Sequence, residues 1–167
     1  CDIRRSGEHL LALVNDVLDL SKIDAGRLTL NAEYLRLDEI VEDCIRIVME
    51  SRREACAPMT LDNRLTVAVH ADRRALTQIL LNLLSNAAKF TPQDGEIRVE
   101  LASTAHGQPE IKVVDTGAGM APDQIEAALD RFVQLGRHAD QAYEGTGLGL
   151  PLAAALARAH GGDLRVR

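Results

Sequence analysis

Three polar side chains, Asn82, Asn86 and Lys89, are spaced four and three residues apart on one predicted helix. At about 100° per residue they form a stripe of their own on a helix that begins near Asp72 and ends near Thr91. An asparagine carbonyl oxygen is a ligand for a hard cation such as magnesium, and a lysine ammonium group is a point charge for phosphate. An ordinary solvated helix face is the alternative, and the residues downstream decide between the two.

A glycine turn follows the predicted strand 111–114. It contains Asp115, Gly117 and Gly119 in the pattern Asp-x-Gly-x-Gly. Glycines allow the backbone to turn sharply or to approach a ligand closely, and the carboxylate before them can accept the exocyclic N–H of an adenine. Such turns are also common between strands, so this one alone is equally compatible with a plain connection.

A second glycine-rich turn opens the last predicted helix, with Gly145, Thr146, Gly147, Leu148 and Gly149 in sequence. Backbone N–H groups at a helix N-terminus bind phosphate oxygens, and glycines let those oxygens come close. The spacing Gly-x-Gly-x-Gly differs from the dinucleotide fingerprint, and no Lys-Ser or Lys-Thr follows as in a P-loop. The turn therefore predicts a phosphate site of another type.

The polar segment 136–144 lies directly before this turn and contains Arg137 and His138. It is long enough to close over a bound nucleotide as a lid. Plain disorder is the alternative for such a segment.

Composition and charge narrow the classes of partner. The chain has 167 residues and a formal net charge of −6, which argues against non-specific nucleic-acid binding and against anionic membranes, since both attract basic surfaces. Because 46% of the residues are hydrophobic and only 2% aromatic, the core must consist of Leu, Val, Ile and Ala. An anionic ligand therefore requires a local site.

Cysteine usage and hydropathy indicate a cytoplasmic location. The three cysteines, at positions 1, 44 and 56, are odd in number and lack Cys-x-x-Cys spacing, so they predict neither a disulfide framework nor a zinc site and fit a reducing cytosol. No apolar run approaches the ~20 residues of a membrane span, and no signal peptide is visible. Because the sequence starts inside a helical pattern, we expect a fragment, and we leave open whether its parent protein is membrane-anchored.

Periodicity predicts the elements that must position these groups. Residues 3–23 carry one wide apolar stripe, which predicts a helix that packs against a partner helix. Gly26 can end that helix in a left-handed turn. The later elements lack regular βαβ alternation, which predicts helices on one face of a mixed sheet, an α+β fold. We expect a strand at 34–37, a helix at 38–56 capped by Asp38, strands at 60–61 and 66–69, a helix capped by Asp72, strands at 96–101 and 111–114, helices at 122–132 and 148–160, and the start of a strand at 164–166.

The three motifs occur in one order and spacing: Asn86 with Lys89, then Asp115-x-Gly-x-Gly, then Gly145-x-Gly-x-Gly. In this the chain resembles the ATP-binding domain of sensor histidine kinases, within the superfamily shared with gyrase, Hsp90 and MutL. The resemblance covers about residues 33–167.

The first part of the chain adds to this resemblance. Ser6-Gly7-Glu8-His9-Leu10-Leu11 through Asp19-Leu20-Ser21-Lys22-Ile23-Asp24-Ala25-Gly26 is similar to the second helix of the family's dimerisation and phosphotransfer hairpin. The resemblance thus implies a truncated hairpin helix at 1–27 and an ATP-binding catalytic domain at 28–167 that lacks its last strand.

The resemblance also implies a fold and a set of roles. The fold would be a two-layer α/β sandwich of the Bergerat type, with a mixed sheet, three main helices on one face and one long amphipathic helix before it. With ATP and Mg²⁺ as cofactors, Asn86 would ligate magnesium, Lys89 would contact phosphate and Asp115 would bind adenine. The other implied nucleotide-site residues are Asn82, Gly117, Gly119, Phe132 beside the lid, Arg137, Gly145, Thr146, Gly147, Leu148 and Gly149.

Asn82 separates branches of the superfamily. The gyrase and Hsp90 branches carry a glutamate there as the general base for water, whereas an amide cannot accept a proton at neutral pH. The γ-phosphoryl group should instead go to a histidine. The family's acceptor histidine precedes an acidic residue, but the five histidines here, at 9, 70, 106, 138 and 160, precede Leu, Ala, Gly, Ala and Gly. We therefore expect the acceptor outside this sequence and assign no catalytic residue within it.

The resulting expectation is the catalytic fragment of a protein-histidine kinase in a two-component phosphorelay. Its partners would be ATP, the receiver domain of a response regulator and, through the hairpin, a second copy of the parent protein, with neither nucleic acid nor direct membrane contact. The alternative is a non-catalytic regulatory module of the same fold that binds nucleotide, or only a response regulator. A hydrolysing ATPase of the gyrase type is disfavoured by Asn82.

Overall fold

The computed structural model describes residues 2–51, 56–63, 68–133 and 146–167, which divide into two compact units. One comprises Leu30–Gly119, and the other comprises Cys1–Thr29 with Met120–Arg167. In chain order the elements are α1 (Asp2–Asp24), β1 (Ala32–Arg36), α2 (Leu37–Ser51), β2 (Met59–Asn63), β3 (Ala68–Asp72), α3 (Arg73–Phe90), β4 (Ile97–Ser103), β5 (Pro109–Asp115), α4 (Pro122–Ala128) and α5 (Gly149–Ala159).

The strands of the unit Leu30–Gly119 form two sheets. Strand β1 pairs antiparallel with β3, which sets Tyr34 opposite His70. Strand β4 lies between β2, to which it is parallel, and β5, to which it is antiparallel. The second sheet is thus mixed, and together with the helices it confirms the predicted α+β class.

The core of this unit is aliphatic, as the composition predicts. On β4, Ile97, Val99 and Leu101 are fully buried at alternate positions, because successive side chains of a strand point to opposite faces. They belong to one cluster with buried side chains of α2 and α3. Burial raises the pKa of the Cys44 thiol in this cluster to about 11, which agrees with its predicted place in the core.

Helix α3 carries the polar stripe and is fixed at both ends. The Asp72 carboxylate accepts the N–H of Ala75 at 2.9 Å as an N-cap and also accepts the N–H of Asn31 at 2.8 Å. At the other end the backbone N–H of Thr91 donates to the carbonyl of Ala87 at 3.0 Å. A cap supplies hydrogen-bond partners that the terminal turns of a helix otherwise lack, so the helix has defined ends. The predicted Asp72 cap is confirmed.

Helix α2 begins at Leu37, so Asp38 lies in its first turn rather than before it. The Asp38 carboxylate also pairs with Arg36 on β1. The Nε and Nη2 atoms of Arg36 donate to the two Asp38 oxygens at 3.1 and 2.5 Å. This bidentate pair lowers the pKa of Asp38, chiefly through the hydrogen bond from Arg36.

The Asp38 pair makes stability depend on pH. A carboxylate with a depressed folded pKa stabilises the protein above its unfolded pKa of about 3.9, and the contribution disappears as pH falls through the folded value. We therefore expect Asp38→Asn to lower the urea midpoint at pH 6. The difference from the parent chain should shrink as the pH falls below the unfolded pKa of about 3.9, and Arg36→Gln should reproduce this profile. A difference that is constant between pH 6 and pH 2 would contradict the assignment.

In the other unit, α1 packs against α5 and Leu20 is its buried anchor. Gly26 adopts φ 63° after the helix, and its N–H donates to the carbonyl of Ile23 at 2.9 Å, which confirms the predicted left-handed stop. The rest of the apolar stripe is 40% to 64% exposed within this chain: Leu10, Leu11, Val14, Val17 and Leu18. None of the described helices is long and apolar enough to cross a membrane.

Some predicted boundaries are wrong. Helix α4 ends at Ala128, whereas the prediction extended to 132, because residues 129–132 form turns instead. Residues 164–166 are not a strand. A strand requires a neighbour for its backbone hydrogen bonds, and the described part of that unit contains none. The predicted lid 136–144 and parts of the predicted helix 38–56 and strand 66–69 lie outside the described residues.

Candidate functional site

The polar stripe of α3 is half-buried. Asn82, Asn86 and Lys89 are all partly covered, and their spacing puts them on neighbouring turns of one helix side. The Nδ2 atom of Asn82 is buried and has no hydrogen-bond partner in the described structure. Because buried polar groups are normally satisfied, this amide favours a ligand-facing stripe over a solvated one.

Asp115 is the last residue of β5 and is positioned by its neighbour Thr116. The register of the sheet places Asp115 opposite Ile97. Just beyond that pair, the Thr116 hydroxyl accepts the N–H of Glu96 at 2.9 Å, and the Thr116 N–H donates to the carbonyl of Glu96 at 3.2 Å. These two bonds fix the point at which the chain leaves the sheet. No sequence pattern predicted this role of Thr116.

The Asp-x-Gly turn lies directly against the end of α3. The Oδ1 atom of Asp115 accepts the N–H of Gly117 at 2.9 Å. A Cβ atom on Gly117 would lie 2.6 Å from the carbonyl oxygen of Phe90, the last residue of α3. Only glycine allows this approach. The structure therefore brings the Asp115 turn to the helix that carries Asn86 and Lys89.

Two other glycines near this turn differ in what they require. Gly119 has φ 64° with open space around it, so its requirement is conformational. Gly95 has a steric requirement, since a Cβ there would lie 2.6 Å from the Thr116 hydroxyl and 2.7 Å from Thr91 Cγ2. Thr91 is buried, and its Oγ1 has no described partner. Gly95 and Thr91 were not among the predicted site residues, although the Asp94-Gly95 pair after the helix indicates a tight turn.

The second glycine turn, in the unit with α5, is built around Phe132 and Gly147. The N–H of Phe132 donates to the carbonyl of Gly147 at 3.0 Å. Gly147 has φ 67°, and a Cβ on it would lie 2.8 Å from the carbonyl carbon of Phe132. Phe132 itself has φ 64° and is 66% exposed, a conformation that costs roughly 1–3 kcal/mol for a residue with a side chain.

The start of α5 leaves backbone donors without a side-chain cap. The Thr146 hydroxyl accepts the N–H of Leu148 at 3.1 Å, and the buried Leu148 precedes the helix without capping it through its side chain. The first N–H groups of a helix have no partner within it. Because Gly149 has no side chain, these N–H groups are not shielded. They can bind an anion. Arg137 and Gly145 lie outside the described residues.

The donor set fits magnesium only together with a ligand that supplies further oxygens. Among the described residues there is no group of three His, Cys, Asp or Glu side chains that could hold a metal ion. Mg²⁺ is commonly held by one or two protein oxygens plus substrate phosphates and water, and the Asn86 amide provides such an oxygen. Lys89 Nζ lies 4.8 Å from the centroid of the Phe90 ring, so a positive charge is present on the same helix end.

Comparison with known proteins identifies relatives. Residues 71–167 match the family model described as histidine kinase-, DNA gyrase B- and HSP90-like ATPase. Histidine protein kinase DivJ of Caulobacter vibrioides is 44% identical over 172 residues, covering 97% of this chain and 27% of its own. An uncharacterised sensor-like histidine kinase of Rhizobium meliloti is 42% identical over 99% of this chain and 31% of its own. The chain therefore spans less than a third of the length of these curated relatives.

Solved structures of similar fold also include histidine kinases. Full-length ShkA in complex with AMPPNP superposes with a TM-score of 0.77 at 31% identity, over 96% of this chain and 33% of that one. The histidine kinase AdeS of Acinetobacter baumannii gives a TM-score of 0.78 at 25% identity, over 95% of this chain and 71% of that one. The catalytic domain of histidine kinase ThkA, at 21% identity and a TM-score of 0.67, supports the fold.

Proposed function

The chain belongs to the histidine kinase-, DNA gyrase B- and HSP90-like ATPase family, as an ATP-binding catalytic domain of the sensor histidine kinase type, and we propose that it donates the γ-phosphoryl group of Mg-ATP to a histidine. The observation that carries the proposal is the contact between the Asp115 turn and the end of α3, where Gly117 lies against the Phe90 carbonyl. This contact supports the proposal because it joins the turn that contains Asp115 to the helix that carries Asn86 and Lys89.

The roles follow from the chemistry of each group. Asp115 accepts the exocyclic amino group of adenine, with Gly117 and Gly119 lining the purine. Asn86 supplies its carbonyl oxygen to magnesium, which when bound neutralises phosphate charge, and Lys89 contacts phosphate. In the other unit, the uncapped N-terminus of α5 with the adjoining Thr146 and Gly147 is suited to bind phosphate oxygens, and Phe132 adjoins Gly147.

Asn82 sets the fate of the phosphoryl group. Its orphaned amide is suited to hydrogen bonding or to metal coordination through its oxygen, and it cannot take a proton from water at neutral pH. The acceptor is then a histidine on a helical hairpin of which α1 is the second helix. The exposed apolar stripe of α1 supports packing in such a hairpin, which also joins two copies of the parent protein in the cytoplasm. A response regulator aspartate would receive the phosphoryl group next.

Nucleotide selectivity tests the adenine role of Asp115. A non-hydrolysable ATP analogue with Mg²⁺ at ~100 times its dissociation constant should stabilise the chain by about 2.7 kcal/mol, seen as a rise in Tm. The GTP analogue should give a much smaller rise, because guanine presents a carbonyl acceptor where Asp115 requires a donor. Asp115→Asn is the matched variant, since it keeps the shape and should narrow the difference. Equal Tm shifts with both nucleotides on the unmodified chain would refute this role.

A further inference from the structure

An ion pair connects α1 to the segment before the second glycine turn. Arg131 Nη2 donates to Asp24 Oδ1 at 2.7 Å, although the two residues are 107 positions apart in the chain. Asp24 is the last residue of α1. The pair therefore fixes the end of this helix to the residue directly before Phe132.

Phe132 is the residue at which this connection matters. Its left-handed backbone is unfavourable for a residue with a side chain, and such a conformation persists only where neighbouring contacts hold it. Two hydrogen bonds lie at this strained position. Arg131 is anchored to Asp24, and the N–H of Phe132 itself donates to the carbonyl of Gly147.

The surroundings of the pair show that it contributes little to folding. Its side chains are 45% and 51% exposed, and exposed ion pairs contribute little to global stability. Beside it lies a cavity of about 410 Å³ between the end of α1 and α5, with Leu28, Leu129 and Ala155 in its wall. The pair of Asp24 and Arg131 lies in the wall of this cavity and joins the end of α1 to the segment that follows α4.

We propose that Arg131 is a positioning residue through which α1 sets the conformation of the nucleotide-binding turn at Gly147. The connected contacts run from Asp24 to Arg131, through the strained Phe132, to the carbonyl of Gly147. Nucleotide affinity then depends on the state of α1, and by linkage bound nucleotide strengthens the contact between Arg131 and α1. This inference rests on the proposed nucleotide-binding function and assigns to that site a regulatory input from the hairpin helix.

Calorimetric titration of the full chain with a non-hydrolysable ATP analogue and Mg²⁺ tests the proposal. Arg131→Ala and Asp24→Ala should each weaken binding by about threefold to fivefold, the range that an exposed ion pair can supply. The exchanged double variant, Asp24→Arg with Arg131→Asp, should recover the affinity to within about twofold. Urea midpoints of all variants should match that of the parent chain, which separates positioning from folding.

The matched control is the pair of Asp43 and Arg46 on α2, in the other compact unit, which has a similar length of 3.1 Å and is also exposed. Asp43→Ala should leave nucleotide affinity unchanged. Affinity that is unaltered in both Arg131→Ala and Asp24→Ala would overturn this inference alone, as would an exchanged variant no better than the single ones. A parent chain that binds no nucleotide would overturn the proposed function together with it.

Discussion

Gly117→Ala should reduce ATP affinity by roughly tenfold to a hundredfold. The added Cβ would lie 2.6 Å from the Phe90 carbonyl oxygen and 2.7 Å from Asp115 Oδ1, and a backbone atom cannot move aside as a flexible side-chain end can. Overpacking of this kind costs about 1–3 kcal/mol, and every 1.4 kcal/mol taken from binding is about tenfold. Titration with a non-hydrolysable ATP analogue measures the loss, and urea unfolding shows whether the domain stays folded.

Two other glycines serve as controls because they distinguish a steric clash of the added Cβ atom from the cost of a positive φ angle. Gly119→Ala meets no atom within 4 Å but must adopt φ 64°, so we expect a smaller loss of roughly tenfold or less. Gly7→Ala, on α1 with open space around it, should stabilise the chain by about 1 kcal/mol through helix propensity and leave binding unchanged. An undiminished affinity in a folded Gly117→Ala variant would show that the turn does not have to lie against α3.

The second large effect concerns the acceptor of the phosphoryl group. Incubated alone with labelled ATP and Mg²⁺, this chain should neither release phosphate appreciably nor become labelled, because Asn82 cannot act as a base and none of its five histidines precedes an acidic residue. Added in trans, a hairpin fragment of the parent protein that contains the acceptor histidine should become labelled. The expected contrast is between no detectable label and labelling that grows with time.

Asn86→Asp tests the metal role within the same assay. The carboxylate keeps an oxygen ligand but places a negative charge beside the triphosphate, so we expect weaker nucleotide binding and little transfer to the added hairpin. Asn63→Asp, at an exposed position at the end of β2, introduces the same charge elsewhere and should not affect transfer. Label on a histidine of the isolated chain, or steady ATP hydrolysis abolished by Asn82→Ala, would overturn this assignment of the acceptor.

The sequence by itself determined the features that depend on nearby residues. Helix α3 and its Asp72 cap, the alternation along β4 and the left-handed stop at Gly26 were all predicted correctly, because periodicity and capping involve residues within a few positions of one another. The two glycine motifs were recognisable for the same reason. Their order and spacing, and the resemblance that followed, pointed to the family that the comparisons support.

Tertiary structure alone decided which distant groups meet. The hydrogen bonds of Thr116 with Glu96, the approach of Gly95 to the Thr116 hydroxyl and the pair of Asp24 with Arg131 join residues separated by 20 or more positions. No local pattern encodes such pairs. The same limit explains the predicted strand at 164–166, where alternation was present but the described residues of that unit include no pairing strand. A side chain's own preference is local, whereas the partner that satisfies a hydrogen bond or fills a contact is supplied by the folded chain.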